Sequence, residues 1–319
     1  MAELRKNPFT GEWTHYAENR KNRPYEFLHK IEVKNSSNGN CPFCGGNEDK
    51  TTAPFYQDGT DDSWTIRVFP NMFPAVCAEE KAICENSFYQ QLSGQGLHEV
   101  LVDTPNHEET IDQFSLEHLG RVFIVLQQRY KEMIVSKKVK YIQIFKNCGP
   151  SAGMSIRHSH WQIVGMPVLP QREVIMQGFM QDGDCLFCRM LAYEKEQQNR
   201  VVLENQSFVV IAPYASRFPY ELWICPKRHI ASFSDVTAEE LEALSVIMNG
   251  LLPKVASLRK DVGYNICMID GEVGGDFHWH VEILPRIGGF AGFEYATGSY
   301  INSILPEAAA EYYRKNCKG

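Results

Sequence analysis

Cys41-Pro-Phe-Cys44 and Cys185-Leu-Phe-Cys188 each offer two sulfur atoms from one tight turn. Each pair is followed by a lone histidine, His107 or His229, and then by a His-x-His pair, His158/His160 or His278/His280. Two thiolates and two imidazoles make a tetrahedral donor set that suits zinc. The lone histidine and the first member of each pair therefore complete two candidate Zn2+ sites: Cys41, Cys44, His107 and His158, and Cys185, Cys188, His229 and His278. The spacing also admits buried free thiols, a thioredoxin-like redox pair, or one four-cysteine site shared by both pairs. A redox pair should open a helix behind a strand, and Gly45-Gly46 after the first pair argues against that.

Alternate residues of a strand share a face. His158, His160 and Gln162 thus line up together, as do His278, His280 and Glu282. Polar groups in such a row need partners: all could be metal ligands or hydrogen-bonded core residues. The sharper reading divides the labour, with His158 on the metal and His160 as a nucleophile toward phosphorus. The stretch Asn147 to Ser155, Asn-Cys-Gly-Pro-Ser-Ala-Gly-Met-Ser, supports it. Small residues let backbone N–H groups approach phosphate oxygens, and serine hydroxyls add donors. The matching stretch Asp270 to Asp276 is acidic and would repel phosphate, which makes the first copy the active one. Arg20-Lys21-Asn22-Arg23 reads as a solvated patch or as a clamp on a diphosphate.

The elements that position these residues recur in one order. His107 and His158 are 51 apart, and His229 and His278 are 49 apart. Glu99–Val102 and Glu221–Cys225 read as strands just before each lone histidine. An amphipathic helix follows, from about Ser115 to Met133 in the first copy and from Thr237 in the second, where Glu240 completes a capping box. Strands at Tyr141–Phe145 and His160–Val164 flank one Gly-containing loop; Tyr264–Ile269 and Val281–Leu284 flank the other. The CxxC-to-His gap is longer in the first copy, which an inserted loop would explain. The expected fold is α+β, two tandem halves that are each a mainly antiparallel sheet with a long helix. The boundary falls between Pro170 and Asp184, giving domains of 1–175 and 176–319.

At 319 residues, 44% hydrophobic and 22% charged, the chain is an ordinary globular one. A net charge of −7 speaks against a general surface for nucleic acid. The N-terminal residues contain no apolar secretory core, and no stretch is long enough for a membrane span, so a cytoplasmic protein with reduced cysteines is expected.

Together the motifs resemble the galactose-1-phosphate uridylyltransferase-like branch of the histidine triad superfamily, in its ADP-glucose phosphorylase form. The resemblance spans nearly the whole chain: Asn7 to Trp13, Arg20 with Arg23-Pro24, Cys41 to Cys44, Phe69-Pro-Asn71, Thr104 to His107, Asn147 to Gln162, Pro226 to His229, His278 to Pro285 and Gly289 to Asn302. It implies that Cys41, Cys44, His107 and His158 hold structural zinc, and that the second Cys/His set matches a metal site found in part of the family. It further implies that His160 attacks the α-phosphorus of a nucleotide sugar while Gln162 holds the phosphoryl oxygens. Ser155 and Gly153 would contact phosphate, Arg20 and Arg23 the diphosphate, and Asn71 and Asn147 the nucleotide. The implied reaction is a double displacement in a homodimer, passing a nucleoside monophosphate from a UDP- or ADP-hexose to a hexose-1-phosphate or inorganic phosphate. Two features depart from the family. Arg157 and Trp161 are bulky for their places beside the His-x-His motif. The Tyr-Glu and Gln-Arg pairs of galactose-handling members become Phe293-Glu294 and Tyr300-Ile301, which disfavours galactose-1-phosphate as acceptor. Rival readings are a histidine-triad hydrolase or dinucleoside polyphosphate phosphorylase, and a zinc-stabilised nucleotide-binding module without activity. Hydrolases of that superfamily tend to carry a third histidine where Gln162 stands, and Gln cannot protonate a leaving group.

Overall fold

The computed structural model describes residues 2–18, 20, 41–60, 63–78, 88–136, 138–180 and 183–316. Arg23, expected at the diphosphate, lies outside the described residues.

In chain order the elements are β1 (Ala2–Lys6), β2 (Trp13–Ala17), β3 (Tyr56–Asp58), β4 (Ile66–Pro70), β5 (Gln91–Ser93), β6 (Leu97–Val102) and α1 (Leu116–Ile134). Next come β7 (Tyr141–Cys148), β8 (His160–Met166), α2 (Gln171–Gln177), α3 (Leu186–Gln197), β9 (Val201–Glu204), β10 (Phe208–Ile211) and β11 (Leu222–Pro226). The chain closes with α4 (Ala238–Ala256), β12 (Tyr264–Ile269), β13 (His280–Pro285), α5 (Gly292–Thr297) and α6 (Pro306–Asn316).

The α+β expectation holds, and the duplication is written into the strand order. The main antiparallel sheet runs β3-β4-β6-β8-β7-β12-β13-β11-β10-β9. Read outward from the β7–β12 seam, each copy contributes the same sequence of strands. The seam is a true ladder, with Asn147 opposite Asn265 and Phe145 opposite Cys267. A separate small sheet, β2-β1-β5, accounts for the unequal gaps: the long connection from β4 to β6 carries β5 out to it.

Both long helices start where the sequence marks them. Ser115 accepts from His118 N–H at the head of α1, and Thr237 and Glu240 close the capping box at the head of α4. Their apolar stripes cover one face of the sheet as a single core, in which Leu119, Phe123 and Leu126 of α1 join Leu244, Met248 and Leu251 of α4. Each such side chain contributes about 1.5–3 kcal/mol on burial. Alternation along β8 sends Trp161 and Ile163 into that core, where Trp161 meets Phe123 edge-on with ring centroids 6.2 Å apart. The bulk of Trp161 is therefore turned away from His160. Arg157, the other bulky departure, is exposed and pairs with Glu108 at 2.9 Å. Among the described residues, no helix is long and apolar enough to cross a membrane.

Candidate active site and metal centres

The opposite face of the sheet carries the chemistry. Cys41 and Cys44 sit in a turn, where Cys44 N–H donates to the Cys41 carbonyl at 3.3 Å. Their sulfurs face imidazole nitrogens: Cys44 Sγ lies 3.3 Å from His107 Nδ1, and His158 Nδ1 lies 3.7 Å from Cys41 Sγ and 3.6 Å from Cys44 Sγ. All four residues are buried, and their ligand atoms lie within 4.8 Å of one another. A tetrahedral ion bound at about 2.3 Å by sulfur and about 2.1 Å by nitrogen spaces neighbouring ligand atoms about 3.6 Å apart. The donor set thus fits a metal ion. His158 Nε2–H donates to the Thr104 carbonyl at 2.6 Å, so the ring must present Nδ1 to the sulfurs. Burial pushes the Cys41 thiol up to about 12 and the His158 ring down to about 4. A bound divalent ion would supply the charge that lets such a thiol ionise.

The second set repeats this geometry. Cys185 Sγ to His278 Nδ1 is 3.7 Å, Cys188 Sγ to His229 Nδ1 is 3.5 Å and Cys188 Sγ to His278 Nδ1 is 3.3 Å. The two sets are distinct, which overturns the shared four-cysteine alternative. Cys185 does cap a helix, α3, yet its sulfur faces His278 as a metal ligand's would. Here too the far nitrogens are anchored. His229 Nε2–H donates to Asp276 Oδ1 at 2.9 Å, and His278 Nε2–H to the Pro226 carbonyl at 3.2 Å. One acid of the expected phosphate-repelling stretch thus serves the second cluster.

His160 is oriented differently from His158. Its Nδ1–H donates to the His158 carbonyl at 2.8 Å, which leaves the lone pair of the neutral ring on Nε2. The ring of Phe43 packs against it with centroids 5.2 Å apart. Gln162 follows on the same face, buried, with Oε1 3.1 Å from His98 Nε2. The Gly/Ser stretch arches beside β7: a short 3-10 turn at Pro150–Ala152 lies between Gly149 (φ 83°) and Gly153 (φ 82°). Both glycines occupy the left-handed region, and a Cβ at Gly153 would point into open space. Ser155 is buried just before the His-x-His motif.

The remaining expected residues make contacts within the protein. Asn147 Nδ2 reaches the Gly153 carbonyl at 3.5 Å, and its Oδ1 accepts from Asn265 Nδ2 at 2.8 Å. Asn71 closes its own loop by accepting from Phe73 N–H at 2.8 Å. Arg20 Nη1 donates to the Phe73 carbonyl at 2.9 Å, so it braces that same loop.

Several functional-looking residues escaped sequence reasoning. Lys146 is buried and bonds Asp103 Oδ2 and Ser159 Oγ, both at 2.7 Å. This ion pair fixes the residue between the two histidines. Asn265 bonds both Asn147 and the Ala152 carbonyl (2.9 Å), and Arg286 holds Asn265 at 2.6 Å, so the second copy buttresses the loop of the first. His98 was legible by alternation, because it shares a face with Val100 and Val102, but it stood outside the duplicated motifs.

The second copy's counterpart of this site is filled by the protein itself. Glu282, in the place of Gln162, is bound by Arg172 at 2.5 Å and Arg217 at 2.7 Å. Burial works to raise Glu282, but His280 and the two guanidiniums outweigh it and hold its carboxyl well below the usual range. Phe187 packs on His280 with centroids 4.7 Å apart, and Trp223 at 5.2 Å.

Known proteins resemble this chain in sequence and fold. Residues 1–170 match the model of the galactose-1-phosphate uridyl transferase N-terminal domain, and residues 115–316 match a domain of unknown function (DUF4921). ADP-glucose phosphorylase of Arabidopsis thaliana is 31% identical over 98% of this chain and 92% of its own. Galactose-1-phosphate uridylyltransferase of Thermotoga maritima is 27% identical over 99% of this chain and 98% of its own. The crystal structure of an Arabidopsis thaliana ADP-glucose phosphorylase with bound ADP-glucose superposes with a TM-score of 0.76, at 28% identity and 99% coverage of both chains. With the duplicated fold, the paired Cys/His clusters and these matches in agreement, the chain belongs to the galactose-1-phosphate uridylyltransferase family.

Proposed function

We propose that this chain is a nucleotidyltransferase that moves a nucleoside monophosphate from a UDP- or ADP-hexose to a hexose-1-phosphate or inorganic phosphate through a covalent bond to His160. One observation carries the reading: His160 Nδ1–H is committed to the His158 carbonyl at 2.8 Å, which makes Nε2 the basic nitrogen of the ring. In the first step the Nε2 lone pair forms an N–P bond to the α-phosphorus. The P–O bond to the β-phosphate breaks, and the sugar-1-phosphate leaves with the electron pair. In the second step an acceptor phosphate oxygen forms the new P–O bond and the N–P bond breaks, returning its electrons to Nε2. The His158 carbonyl stabilises the positive charge that the ring carries meanwhile. Neither leaving group, the sugar-1-phosphate in the first step or the His160 ring in the second, needs a proton from Gln162, which can therefore hydrogen-bond the phosphoryl oxygens.

Each role extends what the site offers. Ser155 and the Gly153 backbone would receive phosphate, Arg20 and Arg23 the diphosphate, and Asn71 and Asn147 the nucleotide. Zinc is the metal proposed for both clusters, because two sulfurs and two imidazoles in a closed tetrahedron suit it and its role there is structural. Residues 1–175 form the proposed catalytic half and 176–319 the degenerate one. A cytoplasmic homodimer is proposed with the family, and exposed Phe293, Tyr295, Ile301 and Leu305 offer apolar surface for the pairing.

Incubation with labelled ADP-glucose and UDP-glucose, followed by acid quench and mass spectrometry, tests the reading. A nucleotidylated His160 that persists until phosphate or a hexose-1-phosphate is added supports it. An adduct that decays in water alone indicates a hydrolase, and no adduct with either sugar indicates a binding module.

A further inference from the structure

His98 lies outside every duplicated motif, yet it touches the two parts of the site that must act together. It is buried on β6, one register step from the catalytic strand: Val100 stands opposite Gln162, and His98 stands opposite Val164. His98 and Gln162 are therefore diagonal neighbours on the face that bears His160. Among the described residues, three groups meet the His98 ring at hydrogen-bond distance. Ala75 N–H points at Nδ1 from 3.0 Å, while Gln162 Oε1 and Asn71 Nδ2 each lie 3.1 Å from Nε2.

These contacts select a tautomer. With its proton on Nε2, the neutral ring accepts from Ala75 and donates to Gln162, but makes no hydrogen bond with the Asn71 Nδ2 donor. With the proton on Nδ1, it clashes with the Ala75 N–H and can only accept from Asn71. Two good bonds outweigh one. The Nε2–H form in turn fixes Gln162, whose Oε1 is drawn toward His98 and whose NH2 becomes the end that can donate to a phosphoryl oxygen. An unguided Gln amide would have to turn its nitrogen toward the phosphate as it binds, instead of holding it there beforehand.

We propose that His98 is the positioning residue that sets the amide orientation of Gln162 and couples it to the loop from Asn71 to Ala75. That loop is tied at three places: Asn71 N–H donates to the His98 carbonyl at 2.8 Å, Ala75 binds the ring, and Arg20 holds Phe73. A shift of the loop on nucleotide binding is transmitted to the phosphoryl-handling side chain through one imidazole. The inference rests on the nucleotidyl-transfer reading.

Two substitutions separate the functions of the ring. His98→Asn keeps an acceptor near the Nδ1 position for Ala75 but removes the donor to Gln162. His98→Gln keeps a donor near the Nε2 position but removes the loop's acceptor. Single-turnover formation of the His160 adduct from labelled ADP-glucose and UDP-glucose is measured for each, together with KM and thermal melting. His98→Asn is expected to slow adduct formation about 10- to 100-fold, the range for orienting hydrogen bonds behind a reacting group, with KM and melting close to wild type. His98→Gln is expected to keep the rate within about threefold while KM rises. Added to Gln162→Ala, His98→Asn should slow the reaction no further, because the effect runs through Gln162. A wild-type rate in His98→Asn, or full additivity with Gln162→Ala, overturns the assignment of His98 alone. Absence of any adduct in the wild-type protein overturns the transfer reading and this assignment with it.

Discussion

Two residues apart, His158 and His160 turn their Nδ1 atoms to different tasks: that of His158 faces the sulfurs of Cys41 and Cys44, while that of His160 donates to the carbonyl of His158 itself. The ring tied to the cluster thereby holds the backbone atom that orients its neighbour. Replacing His160 by Ala should leave melting and metal content unchanged and lower turnover at least about a thousandfold, as loss of a nucleophile does. Turnover near the wild-type rate would remove His160 from the mechanism.

Metal counting by mass spectrometry should return two zinc ions per chain, and one in either Cys41→Ser or Cys188→Ser. Cys41→Ser should also melt well below wild type, because metal affinity there is folding free energy. Equal melting would show that the cluster does not support the fold.

The Lys146–Asp103 pair, 2% and 0% exposed, predicts a large asymmetry. Lys146→Met leaves a buried carboxylate alone and should cost about 3–5 kcal/mol in urea unfolding. Lys146→Met combined with Asp103→Leu should recover most of that. Equal losses in the single and double variants would mean that packing, and not the lost counter-charge, sets the effect.

Burial raises Asp270 from 3.8 to about 6, against hydrogen bonds from Phe233 and Gly271 that favour its ionised form. For an acid raised on folding, the unfolded chain loses its proton first. The contribution of Asp270 is intact below about pH 4, falls as pH rises to about 6 and stays lost above that, by about 3 kcal/mol in all. Unfolding free energies of wild type and Asp270→Asn, compared at pH 4 and pH 7, should converge or cross in the direction that disfavours wild type at the higher pH. A pH-independent difference would contradict this.

What the sequence discloses follows from what is periodic or repeated in it. The helices at Leu116–Ile134 and Ala238–Ala256 and the strands beside them are legible because stripe, cap and alternation agree at each. Both Cys/His sets are legible because they occur twice in one order. The bulk of Trp161 misleads, since alternation sends it into the core beneath α1. The charge of Arg20 points to phosphate, but its contact with the Phe73 carbonyl depends on where a distant loop comes to rest. Lys146, Asp103, Asn265 and Arg286 are silent for the same reason: each partner lies on another strand or connection, and no local pattern encodes a pairing made across the sheet.

The ladder between β7 and β12 bears on how this gene can be cut. A break near residue 175 would look natural on the chain, but each fragment would carry a bare central strand, with Asn147 parted from Asn265 and the helix layer split open. Co-expressed fragments should find one another and restore a working protein by complementation, whereas either piece made alone should aggregate.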